Sequence, residues 1–238
     1  MMYYFTKLQG DEKMKIKSLF CVILIVIMMS TTAFGASFTD TEGHWAEDYI
    51  EKMAHAGYVK GYGDGTFNPD GPMTRAEVAT VLTNVFAIPH TIAGHKVLKD
   101  VNETDWFMPY SLVGYLVFPP EEGNAQIFRG NDKITRVEAA HAIIALYNCA
   151  ESTGYAAQMA DYDTFKDNFF VKKVVSTAVK YGIMQGKGET GFEPFSTLTR
   201  AELCTLVMRT LENKGDADKE TLETLTDFTN QINEKYSK

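Results

Sequence analysis

The sequence has few cysteines and no surplus of positive charge. Of its three cysteines, Cys21 lies in an apolar N-terminal run, which leaves Cys149 and Cys204. Two cysteines are too few for the disulfide framework of a small secreted domain, although a single bridge between them stays open. The net charge is −8, and the first 35 residues carry four lysines against two acidic residues. The rest of the chain is therefore more acidic still, which argues against nucleic acid as a partner.

Motifs of metal-dependent and nucleophilic enzymes are also missing. The five histidines form no H-E-x-x-H pattern or other zinc spacing, and no G-x-S-x-G occurs. The glycine-rich stretch at 61–77 fails as a calcium loop, because a loop begun at Asp64 has Pro69 and Arg75 where glycine and glutamate are required. It fails as a nucleotide loop because its glycines follow a predicted helix. We expect no catalytic residue, no metal and no cofactor.

The N-terminus is typical of a secretory signal peptide. Lysines at 13, 15 and 17 precede an apolar run at 19–29, and Ala33-Phe34-Gly35 fits a small-residue cleavage site. We expect a signal peptide at 1–35, with 1–13 as an upstream extension if Met14 is the true start. Cleavage would leave no stable membrane insertion; an uncleaved anchor is the alternative.

Beyond residue 35 the chain repeats itself three times. The segments MTRAE, ITRVE and LTRAE carry Arg75, Arg136 and Arg200. Thirty residues before each arginine stands an aromatic residue, and eight residues before it stands a phenylalanine. The aromatic residues are Trp45, Trp106 and Phe170, and the phenylalanines are Phe67, Phe128 and Phe192. The pattern predicts repeats at 36–88, 96–150 and 160–213, followed by a C-terminal segment at 214–238.

Each repeat is predicted to form a helix, a loop and a second helix, which indicates an all-α fold. In the first repeat, apolar residues at helical spacing precede and follow the loop. A two-helix unit cannot bury its apolar face alone, so we expect the three units to share one core. Gly61, Gly63 and Gly65 are predicted to end the first helix and make the turn, and Gly57 and Gly61 recur as Gly182 and Gly186 in the third repeat. In the C-terminal segment, the spacing of Leu222, Leu225, Phe228 and Ile232 predicts a short amphipathic helix, which caps the core or forms a half-ordered tail. The alternative is that this helix binds a protein partner or a second copy.

The repeated TR-x-E sequence has a structural explanation except for its arginine. Threonine and glutamate three residues apart form a helix capping box. The three pairs are Thr74 with Glu77, Thr135 with Glu138, and Thr199 with Glu202. The arginine between them sits at the first helical position, where the helix dipole disfavours a cation. Inheritance from a duplicated ancestor or an ion pair with a neighbouring acid would explain it. The functional alternative is an anion site, formed by the guanidinium and the backbone N–H groups of the helix start.

These residues resemble the S-layer homology domain family over 38 to about 212. The resemblance rests on the aromatic residue of the first helix, the GDGTFNPDG turn and the TRAE-type helix start. It implies three repeats in a pseudo-threefold spindle around a central helical bundle, with grooves between neighbouring repeats. It also implies a secreted protein held at the cell wall or S-layer. The implied partner is a secondary cell-wall polysaccharide with pyruvyl ketal groups, each of which presents a carboxylate.

The resemblance further assigns roles to individual residues. Arg75, Arg136 and Arg200 are the implied carboxylate contacts, and Gly61 and Gly186 are implied to line the grooves. Trp45 and Trp106 would pack against sugar rings or form part of the core or groove wall; the residues favour neither.

The second repeat departs from the family pattern, since it carries VFPPEEGNAQIFRG with Phe118 and Glu122 at the glycine positions. We expect the groove served by that loop to bind weakly, and charge reversal at Arg136 to matter less than at Arg75 or Arg200. A structural or adaptor protein with a partner on its C-terminal segment is the rival hypothesis.

Overall fold

The computed structural model describes residues 37–119 and 126–236, where helices joined by loops and turns form the structure. Its helices are α1 (Glu47–His55), α2 (Arg75–Val85), α3 (Gly94–Val97), α4 (Met108–Val117), α5 (Arg136–Leu146), α6 (Phe169–Lys180), α7 (Arg200–Lys214) and α8 (Lys219–Tyr236). The all-α prediction is confirmed. The predicted signal peptide lies outside the described residues. No helix within them is both long and apolar enough to cross a membrane.

All three predicted capping boxes are present. At the start of α2, the Thr74 hydroxyl accepts a hydrogen bond from the Glu77 N–H at 3.2 Å. In return the Glu77 carboxylate accepts one from the Thr74 N–H at 2.7 Å. Thr135 with Glu138 and Thr199 with Glu202 repeat both bonds at the starts of α5 and α7. The capping box thus fixes the same residue as the first of each second helix.

The first helix of the second repeat ends differently from the first helices of the other two repeats. Gly57 and Gly182 follow α1 and α6 with φ of +76° and +66°, a conformation that glycine adopts without a steric penalty. At the corresponding position after α4 stands Phe118, which is extended with φ of −80°. Its ring is buried and stacks on Phe128 at 6.3 Å between centroids. The second repeat therefore replaces a glycine turn with a buried aromatic residue.

The most extensive helix packing is between repeats, although α4 and α5 of the second repeat also contact each other. α4 packs on α2 of the repeat before it, α6 packs on α5, and α1 of the first repeat packs on α7 of the third. Apolar side chains of all three repeats form one cluster, in which Phe67, Phe128 and Phe192 are fully buried. The prediction of a shared core is confirmed.

The segments just before the second helices bind one another through their backbones. The Met73 N–H donates to the Leu198 carbonyl at 2.9 Å, the Leu198 N–H to the Ile134 carbonyl at 2.9 Å, and the Ile134 N–H to the Met73 carbonyl at 3.0 Å. We call these three bonds the backbone ring. Each repeat donates one bond to it and accepts one. A break at any one of the three segments would therefore leave a backbone group of each of the other two without its partner.

The C-terminal segment forms the amphipathic helix α8, which lies against α4 and α5. Leu225 is buried and Leu222 packs against the core, whereas Phe228 is exposed. The Asp218 N–H donates to the Leu146 carbonyl at 3.0 Å, and the Asn233 side chain donates to the His90 carbonyl at 2.9 Å. The helix thus covers part of the core, as the capping interpretation predicts.

Replacement of a capping threonine should destabilise the protein. We expect Thr74→Ala to lower the free energy of unfolding by about 1 kcal/mol, because the amide of Glu77 loses its acceptor. Thr224→Ala is the matched control, since Thr224 is exposed on α8 and bonds only to the preceding turn; it should change stability by less than about 0.5 kcal/mol. Urea unfolding measures both variants. Equal losses would contradict the capping role.

Candidate functional site

Within the described residues, two grooves open where the repeats meet. The Trp45 groove, of about 520 Å³, has Trp45 and Asp70 on one side and the turn and second helix of the third repeat on the other. The Trp106 groove, of about 340 Å³, has Trp106 and Tyr110 on one side and the turn and second helix of the first repeat on the other. We define the Trp45 groove by Trp45, Asp70, Arg136, Gly186, Lys187, Glu202 and Arg209, and the Trp106 groove by Gly57, Lys60, Glu77, Asn84, Trp106, Tyr110 and Arg200.

The two grooves are built from corresponding positions. Each takes its tryptophan from one repeat, its turn and helix from the repeat before, and its arginine from the remaining repeat. Glu202 in one groove corresponds to Glu77 in the other, whereas Arg209 corresponds to the neutral Asn84. The grooves therefore share a plan but differ in charge.

Both tryptophans are exposed at the groove walls. The side chains of Trp45 and Trp106 are 61% and 58% exposed, so neither belongs to the core. His44 beside Trp45 accepts a hydrogen bond from the Ala46 N–H at its Nδ1, and its Nε2 lies 3.4 Å from an Asp70 carboxylate oxygen. An exposed aromatic ring in a groove can pack against the apolar face of a sugar; for both residues this contact stays a prediction.

The third aromatic position is different. Phe170 is half-buried, and its ring lies 5.5 Å from that of His141. Burial lowers the pKa of His141, whose Nδ1 lies 3.1 Å from the Val117 carbonyl. At the start of α6 it is instead the preceding residue, Phe169, that is exposed, at 64%. Phe170 thus belongs to the packing of the second and third repeats.

The three arginines link each repeat to the next. Their Nε atoms donate to the carbonyls of Phe128, Phe192 and Phe67, at 2.8, 2.9 and 2.8 Å from Arg75, Arg136 and Arg200 respectively. Arg75 also pairs with Glu138, and Arg136 with Glu202 at 3.0 Å. Arg75 and Arg136 are 2% and 3% exposed, while Arg200 is partly exposed. The ion pair with a neighbouring acid, one of the alternatives from the sequence, is therefore present at two arginines. Carboxylate binding by the arginines stays a prediction.

The backbone amides of the helix starts are already occupied. The N–H groups of Arg75 and Ala76 donate to the carbonyls of Asp132 and Gly130, both at 2.9 Å. The same pairs of bonds join Arg136 and Val137 to the third repeat, and Arg200 and Ala201 to the first. The prediction that these amides help to bind an anion is wrong, because backbone carbonyls of the next repeat accept their hydrogen bonds.

The divergent turn of the second repeat belongs with Arg75, not with Arg136. The Arg75 guanidinium lies 4.8 Å from the centre of the Phe118 ring and bonds to the Phe128 carbonyl. Arg136 instead contacts the turn of the third repeat through the Gln185 carbonyl at 3.1 Å. We expected charge reversal to matter least at Arg136 because we assigned the divergent turn to that arginine. The turn contacts Arg75 instead. Each arginine donates hydrogen bonds to backbone carbonyls of the repeat that follows its own.

Gly61 and Gly186 have a structural reason to be glycine. A side chain at Gly61 would place its Cβ 2.7 Å from the Thr66 carbonyl, and one at Gly186 would place it 2.8 Å from the Gly191 carbonyl. Both glycines allow the two arms of the turn to approach. Gly186 lines the Trp45 groove, whereas within the described residues Gly57 rather than Gly61 lines the Trp106 groove. Ligand contact by Gly61 and Gly186 stays a prediction.

The structure shows three aspartates that hold the turns, whose role was not predicted from the sequence. Asp40 accepts hydrogen bonds from the N–H groups of Phe67 and Asn68 at 2.8 and 2.7 Å. Asp100 and Asp161 make the same pairs of bonds in the other repeats. Although burial opposes it, these two amides lower the pKa of Asp40. The aspartates stand at different distances from the arginines, so a gapless comparison of the repeats does not align them.

Lys187 and Arg209, on the wall of the Trp45 groove, were missed because they do not repeat.

The described residues contain neither a cluster of metal ligands nor a disulfide bond. No group of three or more histidine, cysteine, aspartate or glutamate side chains there could hold a metal ion. Cys149 and Cys204 are both free thiols, so the bridge left open by the sequence is not formed. Burial raises the pKa of the Cys204 thiol to about 12, which keeps it protonated and unreactive.

The chain matches a known family in two of its three repeats. The family model of the S-layer homology domain matches residues 37–79 and 161–204. Each matched region contains one of the aspartates that hold the turns, one of the buried phenylalanines and one capping box. The divergent second repeat lies between them.

Several surface proteins and enzymes of bacteria are similar to this chain. It is 29% identical to a surface-layer 125 kDa protein of Lysinibacillus sphaericus over 79% of this chain and 16% of that protein. It is 30% identical to a cellulosome-anchoring protein of Acetivibrio thermocellus over 66% of this chain and 36% of that one. It is 29% identical to an amylopullulanase of Thermoanaerobacterium thermosulfurigenes over 77% of this chain but 10% of the enzyme. The chain thus spans only a minor part of each of these relatives.

Loss of a buried arginine should destabilise the fold. We expect Arg136→Gln to lower the free energy of unfolding by about 2–3 kcal/mol, because the carbonyls of Phe192 and Gln185 lose a charged donor. Arg209→Gln is the matched control. Its partly exposed guanidinium, on the same groove wall, lies 5.9 Å from the centre of the Tyr49 ring and makes no hydrogen bond or ion pair with the described residues, so we expect a change below about 0.5 kcal/mol. Thermal or urea unfolding compares the two, and an unchanged stability of Arg136→Gln would contradict the linking role.

Proposed function

Because the chain belongs to the S-layer homology domain family, we propose that it binds the bacterial cell wall non-covalently, with acidic wall sugars held in the Trp45 and Trp106 grooves. Its location is the cell surface or cell wall, and wall anchoring in general follows from the family. The observation that carries the finer proposal is the pairing, in both grooves, of an exposed tryptophan with cationic side chains.

The proposed ligand is a secondary cell-wall polysaccharide that bears pyruvyl ketals. A ketal of this kind joins a carboxylate to a sugar ring, so one residue of the polymer presents both an anion and an apolar face. The indole rings suit the apolar face. Arg200 in one groove, and Lys187 and Arg209 beside Arg136 in the other, suit the carboxylate. Local cations are needed because the chain as a whole is acidic.

We propose a binding module rather than an enzyme. The amylopullulanase is a whole enzyme of which this chain matches only 10%, so its activity is not carried over. The alternative of an adaptor that binds a protein through α8 has less support. Leu222 and Leu225 face the chain's own core, which leaves the exposed Phe228 and the partly exposed Ile232 of the predicted stripe.

Co-sedimentation with purified Gram-positive-type walls tests the proposal. We expect the protein to pellet with untreated walls and to remain in solution after mild acid has removed the ketals. The double variant Trp45→Ala/Trp106→Ala should lose binding, because both grooves lose their aromatic wall. The matched control is Phe169→Ala/Phe195→Ala, which removes two equally exposed aromatic rings outside both grooves.

Three results would contradict parts of the proposal. Binding that survives acid treatment would exclude the ketal as the ligand. Equal losses in the two double variants would exclude the grooves. No binding to either wall preparation would favour a protein partner.

A further inference from the structure

The arginines that line the two grooves differ in their charge partners. In the Trp45 groove, Nη1 of Arg136 lies 3.0 Å from Oε1 of Glu202. The same oxygen lies 2.9 Å from Nζ of Lys187. In the Trp106 groove, no carboxylate among the described residues lies at ion-pair distance from Arg200. The corresponding acid, Glu77, directs one oxygen to the Thr74 amide and hydroxyl at 2.7 and 3.0 Å, as Glu202 does to the Thr199 amide, but within the described chain it forms no ion pair with Arg200.

The two guanidinium groups also differ in free donors. All three nitrogen atoms of Arg136 are engaged, by the carbonyls of Phe192 and Gln185 and by Glu202, and the side chain is only 4% exposed. Arg200 uses Nε and Nη2 for the carbonyls of Phe67 and Lys60, at 2.8 and 2.9 Å. Its Nη1 has no acceptor in the part of the chain that the structure describes, and the residue is partly exposed.

The Arg200 guanidinium is held in place without being neutralised. It lies 4.2 Å from the centre of the Phe67 ring and 5.4 Å from that of Tyr62. Two carbonyl bonds and two aromatic contacts fix its plane, so little side-chain entropy is lost when an anion binds. Trp106 and Tyr110 line the same groove.

We infer that the Trp106 groove is the principal carboxylate site of this chain, and that Glu202 weakens the Trp45 groove by acting as an internal substitute for the ligand carboxylate. The inference rests on the proposed function, which it deepens by ranking the two grooves. A ligand carboxylate in the Trp45 groove must displace Glu202 from Arg136 or bind to Lys187 and Arg209 alone. In the Trp106 groove it meets a fixed cation with an unused donor.

The two tryptophans of the chain, one in each groove, allow the grooves to be measured separately. The experiment titrates the mature chain with a soluble pyruvyl-ketal hexoside and follows the two indole N–H signals by NMR, assigned with Trp45→Phe. We expect the Trp106 signal to titrate at a Kd roughly tenfold lower than the Trp45 signal, as one additional unopposed charged contact would give. The methyl ester of the same hexoside, which lacks the charge, should remove this difference.

Two variants test the cause of the difference. Glu202→Gln keeps a capping side chain but frees Arg136, so the Trp45 Kd should fall several-fold towards that of Trp106. Glu138→Gln is the matched control, because Glu138 has the same capping role but lines neither groove; neither indole Kd should change. Arg200→Gln should abolish the response of Trp106 and leave that of Trp45.

The outcomes separate this inference from the proposed function. Equal Kd values at the two indoles, tighter binding at Trp45, or no gain in Glu202→Gln would overturn the inference while wall binding stands. If neither indole responds and the protein does not pellet with walls, both the inference and the proposed function fail.

Discussion

The structure depends on hydrogen bonds that each repeat makes with the other two at the starts of the second helices. Met73, Ile134 and Leu198 form the backbone ring. In each of these segments, the arginine and the residue after it also donate their backbone N–H groups to the next repeat. Helix starts normally leave such amides to water or to a capping side chain. Here the carbonyls of the next repeat accept them, so no repeat can satisfy its own backbone. The arginine extends the same connection through its side chain, since its Nε bonds to the phenylalanine carbonyl of the next repeat.

The grooves follow from this arrangement. Because each first helix packs on the second helix of the repeat before it, an exposed tryptophan comes to lie opposite a turn from another repeat. The arginine that crosses the same boundary forms part of the groove wall. Its hydrogen bonds to backbone carbonyls stabilise the fold. Whether its guanidinium can also bind a ligand depends on whether the neighbouring capping glutamate pairs with it. Glu202 pairs with Arg136, whereas Glu77 leaves Arg200 unpaired within the described residues. Stability and binding thus depend on the same side chains.

Local features were predictable from the sequence, and features that cross repeat boundaries were not. The capping boxes at Thr74, Thr135 and Thr199 depend on residues three positions apart, and the sequence shows them directly. The shared core follows from the small size of each unit. The partners of each arginine lie more than forty residues away, so the sequence assigned the turn with Phe118 to Arg136 instead of Arg75. The aspartates at 40, 100 and 161 were missed because their spacing to the rest of the repeat varies.

The central claim is that the three repeats form one cooperative unit through the backbone ring. Native-state hydrogen exchange of the amides of Met73, Ile134 and Leu198 tests it most directly. If each repeat depends on the other two, all three amides should exchange with the same free energy, equal to that of global unfolding. The second repeat provides the critical comparison, because its turn diverges most. An Ile134 amide that exchanges through a separate opening of much lower free energy, while Met73 and Leu198 stay protected, would contradict the account.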